Sequence, residues 1–337
     1  MALSFGVFDH MDQGAVALRD QYEARLKLIE AYDRGGFHAY HLAEHHATPL
    51  GMAPSPNVFL AAVAQRSERL RFGALVNTLP LHHPLRLAEE ICALDQMSGG
   101  RLELGIGKGV SPHELAYYGV APEQARTIYL EASAILFKAL AGGPLTFHGE
   151  HFRFDEVPVV MEPLQKPHPP LWCGTSSVDG TRWMAENRVN IVTNLPPARA
   201  RAITDRYREE WAKLGGDPAR IPRMGVARHV VIAPTQARAM EAGQAGFRKW
   251  HDSFMLLWRK HGVEPPIRLP EDFAEFVHAG LALVGTPDMV REGIEEQVAA
   301  SGINYLLCRF AFGELPYEVS RRSVELFVSE VMPKVRA

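Results

Sequence analysis

Short apolar segments alternate with longer amphipathic segments along almost the whole chain. In the segment 17–34, Leu18, Tyr22 and Leu26 recur at the spacing of one helix face. About eight such strand–helix units fit the chain, which predicts one α/β domain over residues 1–337, folded as a (β/α)8 TIM barrel. The predicted strands are 3–8, 37–43, 70–76, 101–106, 170–174, 189–193, 224–233 and 303–309. The predicted helices are 17–34, 56–68, 84–97, 122–141, 178–187, 197–214, one from 235 onward, 287–300 and 316–331.

Two segments depart from this alternation. Residues 145–154 are predicted to form a β-hairpin, and residues from about 240 to 283 a helical insertion before the last strand–helix unit. The insertion carries aromatic residues at helical spacing, among them Phe247, Trp250 and Trp258. Such a stripe fits a packed core, and it fits equally well a lid that closes over the end of the barrel.

The composition excludes several classes of partner. The formal net charge is −3, so nothing in the charge balance predicts binding to nucleic acid. No window has the ~18 apolar residues that span a bilayer, and the N-terminal sequence lacks the basic start of a signal peptide. The three cysteines are scattered, which fits a reducing compartment. We therefore expect a cytoplasmic protein that binds no membrane.

Three histidines and a glutamate stand at the end of the predicted strand 37–43, directly before a loop rich in proline and glycine. Barrel enzymes carry their chemistry at this end of the strands, and histidine titrates nearest neutrality, so these histidines are candidates for proton transfer. His41, Glu44 and His45 also match a zinc-protease spacing, but that motif needs a helix, which the flanking sequence does not allow. We predict no metal. His41 lies inside the predicted strand, which fits a structural role. His46 also fits such a role.

A second group of residues fits a phosphate. A predicted strand runs into the glycine-rich turn 105–109, where a ligand can approach the backbone and Lys108 adds a cation. On its own, this turn favours a tight bend with a surface lysine. Arg126 lies at the start of one predicted helix, and the hydroxyls of Ser176 and Ser177 are expected to open another. These segments belong to neighbouring units, so together they predict a cradle for one phosphate.

Seven short motifs occur in order from the second strand to the last helix. They are residues 43–46 (AEHH), 79–80 with 83–84 (LP and HP), 94–101 (LDQMSGGR), 105–109 (GIGKG), 165–170 (QKPHPP), 285–287 (GTP) and 332–333 (MP). With these motifs the chain resembles the bacterial luciferase-like flavin-dependent monooxygenases, of the type of the alkanal monooxygenase α chain. The resemblance covers essentially the whole chain.

The resemblance implies a role for particular residues. His45 would be the catalytic histidine beside the flavin, with His46 and His10 as the alternatives. The cofactor-binding residues would be Leu75, Val76, Lys108, Arg126, Ser176 and Ser177. In this set, Leu75 and Val76 would share a non-prolyl cis peptide under the flavin ring, and the others would hold the FMN phosphate. Family members often have arginine where Lys108 stands, so this chain keeps the charge there but loses the bidentate fork.

The resemblance also implies a function. Reduced FMN and O2 would oxygenate a small organic substrate through a flavin hydroperoxide, and a separate NAD(P)H-flavin reductase would supply the reduced flavin. The side chains that suggest an apolar or aromatic substrate are Phe8, Met52, Trp172, Trp183 and the aromatic residues of the insertion. Two alternatives remain open here: hydride transfer with a deazaflavin cofactor on the same fold, and flavin binding without catalysis.

We further expect a homodimer formed through the predicted helices 56–68 and 84–97, partly from the resemblance. The two helices carry more apolar residues than contact with one sheet requires. These residues are Phe59, Leu60, Val63, Leu87, Ile91 and Leu94. The same residues also fit packing against the barrel of a single chain.

Overall fold

Parallel strands closed into a barrel form the centre of the protein, and helices surround them. The computed structural model describes residues 3–336. The strands are β1 (Ser4–Asp9), β2 (Ala39–Leu42), β3 (Arg71–Ala74), β4 (Asn77–Thr78), β5 (Leu104–Gly107), β6 (Leu145–His148), β7 (Arg153–Val157), β8 (Leu171–Gly174), β9 (Asn190–Thr193), β10 (Met224–Ile232), β11 (Ala282–Gly285) and β12 (Tyr305–Arg309). The helices are α1 (Leu18–Gly35), α2 (Pro56–Arg66), α3 (Pro84–Met97), α4 (Pro112–Tyr117), α5 (Ala125–Leu140), α6 (Thr181–Glu186), α7 (Pro197–Lys213), α8 (Gln236–His261), α9 (Phe273–His278), α10 (Pro287–Ser301) and α11 (Tyr317–Leu326).

Backbone pairing closes the barrel. The hydrogen-bonded order is β3-β2-β1-β12-β10-β9-β8-β5-β4, and only residues 75–76 separate β3 from β4 in the chain. A bridge between Phe72 and Leu102 also joins β3 to the residues before β5. The strands are nearly all buried, as expected when helices cover the outside of a barrel and side chains fill its interior. The predicted (β/α)8 barrel is confirmed.

The insertion begins and ends on two neighbouring strands. β11 pairs in parallel with the second half of β10, from His229 to Ile232, and lies off the path that closes the barrel. Between the two strands, the long helix α8, an irregular segment and the short helix α9 cross the end of the barrel. Phe247 and Trp250 of α8 pack against Phe276 of α9, so the insertion has a small core of its own.

Several predicted boundaries were wrong. The helix expected at 122–141 begins at Ala125, and Pro122 lies in the turn before it. The helix expected at 178–187 is only Thr181–Glu186, because residues 175–180 form a loop that ends with Gly180 in a left-handed conformation. α4 and β11 were not predicted at all. The hairpin expected at 145–154 is present as β6 and β7.

The apolar residues that suggested a dimer are buried within the single chain. All six belong to the main hydrophobic core, at the contact of α2 and α3 with the barrel. The inference that these helices have surplus apolar surface was therefore wrong. The homodimer stays a prediction that rests on the resemblance alone. Within residues 3–336, no helix is long and apolar enough to cross a membrane.

Arg101 joins three elements at the amino-terminal end of the barrel. Its guanidinium donates hydrogen bonds to the carbonyl oxygens of Ala64 in α2, Leu70 before β3 and Ser98 after α3, at 2.8–2.9 Å. It also donates to the hydroxyl of Ser67 at 2.9 Å. The ends of α2 and α3 and the start of β3 are thus held by one side chain with several donors in a fixed plane.

We predict that Arg101→Ala lowers the free energy of unfolding by about 2–4 kcal/mol, because several partly buried carbonyl groups lose their donor together. Urea unfolding followed by circular dichroism would measure the change. Arg19→Ala is the matched control, since Arg19 is exposed on α1 and should change stability by less than about 0.5 kcal/mol. Equal stability of the two variants would show that Arg101 does not hold these elements.

Candidate active site

A cavity of about 680 Å³ lies at the carboxyl ends of the barrel strands, beneath the insertion. The polar residues around it follow different strands, as in other barrel enzymes. Those that matter below are His10, His45, Lys108, Ser176, Asn194 and Arg309. The insertion contributes an apolar wall that includes Trp250, Phe254, Leu257, Trp258, Phe276 and Leu281. The insertion therefore covers the cavity as the predicted lid would, in addition to packing as a core.

His45 meets the cavity with a fixed orientation. Its Nδ1 lies 3.1 Å from Oε1 of Glu114, and the second oxygen of the same carboxylate accepts the backbone N–H of His46 at 2.9 Å. Glu114 belongs to the short helix α4, whose cap Ser111 accepts the N–H of Glu114. The carboxylate accepts the hydrogen on Nδ1, which leaves Nε2 with a free lone pair. No residue within 3–336 hydrogen-bonds Nε2, so this nitrogen can exchange a proton with a ligand in the cavity.

Glu44 is the centre of a buried hydrogen-bond network next to His45. Its carboxylate accepts the backbone N–H of Thr78 at 2.7 Å, Nε2–H of His46 at 2.9 Å and Nε2–H of His82 at 2.9–3.0 Å. Burial alone would raise the pKa of Glu44, but these hydrogen bonds outweigh it and hold the pKa below the usual value. For His82, burial lowers the pKa, and the bond to Glu44 outweighs it, so its pKa is raised.

His41 and His46 have structural partners. Nε2 of His41 lies 3.3 Å from the hydroxyl of Tyr305 inside the barrel, and burial lowers the pKa of His41 to about 3. His46 bonds Glu44 through Nε2 and accepts the hydroxyl hydrogen of Tyr118 at Nδ1, 2.8 Å away. Neither histidine lines the cavity. Within residues 3–336, no three His, Cys, Asp or Glu side chains are placed to hold a metal ion.

The insertion contacts the neighbourhood of His45 at two places. Nε1–H of Trp250 donates to Nδ1 of His10 at 3.2 Å, and the ring of His10 lies 5.6 Å from that of His45. At the carboxyl end of α8, the ring of His261 stacks on His113 of α4 with centroids 4.0 Å apart. The insertion is therefore attached both to the loop after β1 and to the helix that carries the partner of His45.

The predicted phosphate residues are only partly brought together. Lys108 and Ser176 line the cavity and are exposed, and no residue within 3–336 forms an ion pair with Lys108. Arg126 is in the first turn of α5 but does not line the cavity. Ser177 donates its hydroxyl hydrogen to Asp179 at 2.8 Å and also lies outside the lining. The expectation that the two serines open a helix was wrong, since both lie in the loop before α6.

Leu75 and Val76 lie between β3 and β4 and line the cavity. The peptide bond that joins them is cis, which confirms the geometry that the resemblance implied. The expected apolar wall is confirmed in part. Phe8 and the aromatic residues of the insertion line the cavity, whereas Met52, Trp172 and Trp183 do not.

Arg309 ends β12 and is 4% exposed at the cavity wall. One guanidinium nitrogen donates to Oδ1 of Asn194 at 2.7 Å, and the group lies 4.7 Å above the ring of Phe8. Its Nε is buried and has no hydrogen-bond partner among residues 3–336. Burial lowers the pKa of Arg309 to about 9, so the group remains a cation at neutral pH.

A family model of luciferase-like monooxygenases matches residues 3–305. The chain belongs to this family. The uncharacterized protein y4wF of Sinorhizobium fredii is 43% identical over 99% of this chain and 97% of its own length. The oxygenase component of the flavin-dependent trigonelline monooxygenase of Acinetobacter baylyi is 29% identical over 98% of this chain and 95% of its own. Because the family is that of luciferase-like monooxygenases and the named relative is a flavin-dependent monooxygenase, the chain is an oxidoreductase of the flavin-dependent type.

Solved structures share the fold. Monooxygenase RslO1 of Streptomyces bottropensis superposes with a TM-score of 0.88 at 24% identity, over 98% of this chain and 99% of that one. The oxygenating constituent of 3,6-diketocamphane monooxygenase of Pseudomonas putida, solved with FMN, superposes with a TM-score of 0.81 at 22% identity, over 100% of this chain and 99% of that one. The coenzyme F420-dependent tetrahydromethanopterin reductase of Methanopyrus kandleri superposes with a TM-score of 0.74 at 19% identity, over 100% of both chains. At these identities the likenesses show the barrel and nothing finer.

Two residues of this luciferase-like monooxygenase were missed in the sequence. Glu114 could have been found, because Ser111-Pro112-His113-Glu114 has the spacing of a helix cap next to the glycine-rich turn. Arg309 gave no local signal, because in the sequence it is a single polar residue at the end of a predicted strand.

We predict that Glu44→Gln lowers the free energy of unfolding by about 1.5–3 kcal/mol, and that the loss depends on pH. The lowered pKa of Glu44 stabilises the fold above pH 4.5, its ordinary value, and this contribution is lost as the pH falls through the folded pKa. The raised pKa of His82 stabilises the fold fully below pH 6.5 and is lost as the pH rises through the folded pKa.

The difference between wild type and Glu44→Gln should therefore be largest between pH 4.5 and 6.5. Urea unfolding at a series of pH values would measure it. Glu89→Gln removes an exposed charge from α3 and serves as the control. A difference that does not vary with pH would contradict the charge coupling between Glu44 and His82.

Proposed function

We propose that this chain is the oxygenase component of a two-component monooxygenase that uses reduced FMN and O2 to oxygenate a small apolar or aromatic compound. A separate NAD(P)H-flavin reductase would supply the reduced flavin. The observation that carries the proposal is the His45–Glu114 pair, which faces a cavity closed by an apolar lid. Two relatives support it: one is named as the oxygenase component of a flavin-dependent enzyme, and one was solved with FMN.

The residues around the cavity fit FMN. Lys108 offers a cation at the rim that no residue of the described part of the chain pairs with, which suits a phosphate. Gly174, at the end of β8, borders open space, since a Cβ there would meet no atom within 4 Å. Leu75 and Val76 offer an apolar surface on which a flat ring can lie. Arg126 and the loop with Ser176 and Ser177 are the further candidates for the phosphate, although Arg126 and Ser177 lie outside the lining.

Reduced FMN would supply the electrons that activate O2. The chain would supply orientation, proton management and exclusion of water. Because Glu114 accepts the hydrogen on Nδ1 of His45, Nε2 can take a proton from a bound group and return it. Trp250, Phe254 and Trp258 of α8 would keep water from the reacting atoms, because they form the apolar side of the cavity.

The alternatives differ in measurable ways. Anaerobic titration with reduced FMN and with reduced coenzyme F420 would identify the cofactor. Oxidation of NADH with an added flavin reductase, over a panel of small apolar and aromatic compounds, would then test for product. Tighter binding of F420, with hydride transfer and no use of O2, would favour the deazaflavin reading. Binding of FMN without turnover of any compound would favour a flavin-binding protein.

We predict that Lys108→Ala weakens the binding of reduced FMN by about 1.5–3 kcal/mol, the value of one charge-assisted contact. Anaerobic fluorescence titration would measure the dissociation constant. Lys27→Ala is the control, because Lys27 is exposed on α1 and does not line the cavity. Unchanged affinity in Lys108→Ala would remove Lys108 from the phosphate site.

We predict that His45→Ala binds reduced FMN normally but oxygenates its substrate about 10²–10⁴-fold more slowly, since the group that exchanges the proton is gone. Stopped-flow absorbance would follow the reaction of the reduced flavin with O2, and product would be counted at the end. The expected result is uncoupling, in which O2 is consumed and peroxide replaces product.

Two further variants frame this experiment. Glu114→Gln keeps an acceptor for Nδ1–H but removes the charge, so its product yield should lie between those of wild type and His45→Ala. His278→Ala changes an exposed histidine outside the cavity and should behave as wild type. A wild-type yield in His45→Ala would transfer the role to His10, which lines the same cavity.

A further inference from the structure

One wall of the cavity carries a group of hydrogen-bond donors. It comprises His10, Thr193, Asn194 and Arg309, which all line the cavity. In the barrel order, β12 with Arg309 lies midway around from β5, which precedes Lys108. Arg309 and Lys108 are therefore on opposite sides of the cavity. A cofactor phosphate held by Lys108 leaves this wall free for another group.

Arg309 is a buried cation that forms no ion pair with any residue in the range 3–336. Its one hydrogen-bond acceptor within residues 3–336 is the amide oxygen of Asn194. The two acids whose charges act on it form no ion pair with it: Asp9 pairs with Arg25 at 2.9 Å, and Asp12 accepts the backbone N–H of Gly313 through one oxygen and keeps the other buried without a partner among residues 3–336. A guanidinium has five N–H donors, and a buried one without an anion is strongly unfavourable unless a ligand supplies the charge.

The three neighbours of Arg309 in this wall also present hydrogens. The oxygen of the Asn194 amide is used by Arg309, so the NH2 group remains to donate. The hydroxyl oxygen of Thr193 accepts the N–H of Leu195 at 3.2 Å, which leaves its hydrogen free. Burial and the nearby guanidinium hold the pKa of His10 well below its usual value, and Nδ1 accepts from Trp250, so Nε2 carries the hydrogen.

We propose that this wall is a subsite for the carboxylate of the substrate, so that the enzyme acts on organic acids with an apolar body. A planar carboxylate matches the guanidinium fork, accepts from the other donors and supplies the missing negative charge. The apolar lid beside this wall, with Trp250 and Phe254, takes the rest of the molecule. The inference rests on the proposed function, because it treats the occupant of this wall as the substrate.

Isothermal titration of the flavin-free protein with 3-phenylpropanoate and with its neutral amide, 3-phenylpropanamide, tests this subsite. Octanoate and octanamide form a second pair with a different body. We expect each acid to bind more tightly than its amide. Arg309→Gln should weaken binding of the acids by about 10- to 100-fold and leave binding of the amides unchanged. Arg309→Lys, which keeps the charge but not the fork, should lie between the two.

Arg238→Gln, on the exposed start of α8 and outside the cavity, is the matched control and should bind both acids as wild type does. Asn194→Ala provides a second variant, expected to weaken the acids by a smaller factor, should Arg309→Gln fail to fold. Equal affinity for acid and amide in the wild type would overturn the proposal, as would unchanged affinity in Arg309→Gln and Asn194→Ala.

The same variants distinguish the substrate from the flavin ring, whose carbonyl oxygens are acceptors as well. If Arg309→Gln weakens reduced FMN while the acids bind as before, the wall serves the cofactor and the proposal is wrong. Failure of the wild type to bind reduced FMN would overturn the proposed function instead, and the comparison of acid with amide would still decide whether an anion subsite exists.

Discussion

The buried carboxylate of Glu44 is the contact on which the geometry of the site depends. It accepts from the backbone of Thr78 and from the side chains of His46 and His82, so it joins the loop after β2 to β4 and to the residues beyond it. Without these donors the buried carboxylate would have no hydrogen-bond partner, and without the carboxylate the donors would lose theirs. One arrangement of these segments is therefore strongly preferred. His45 lies between Glu44 and His46 in the chain, and this arrangement sets it at the cavity wall.

Most of the fold could be predicted because the signal is local. Apolar runs of strand length and helical spacing repeat along the chain, and few architectures satisfy that repetition over 337 residues. β11 was missed because it stands at the end of the insertion, where the alternation is interrupted. The apolar residues of α2 and α3 predicted an interface wrongly. A sequence shows that a helix is apolar on a broad face, but not that the barrel and a neighbouring helix share that face.

The candidate site was predictable to the extent that its residues follow strands directly. His45 and Lys108 do so, and both line the cavity. Glu114 lies on a helix of six residues, too short for periodicity to reveal. Arg309 and Asn194 are 115 residues apart, and only closure of the barrel brings them together. A site that long-range contacts assemble therefore leaves no motif in the sequence, even though its residues can be read there.

The insertion begins and ends on β10 and β11, two strands that the sheet holds side by side. Their spacing, about 4.8 Å, is fixed by backbone hydrogen bonds and not by the chain between them. Doubling the length of such a connection costs only about 0.6 kcal/mol of closure entropy. Since β11 lies outside the closed path, this segment can be lengthened, shortened or exchanged during evolution while the barrel stays intact. The barrel can thus stay constant while the insertion that covers its cavity is replaced. New specificities can then arise by recombination of one contiguous stretch of gene.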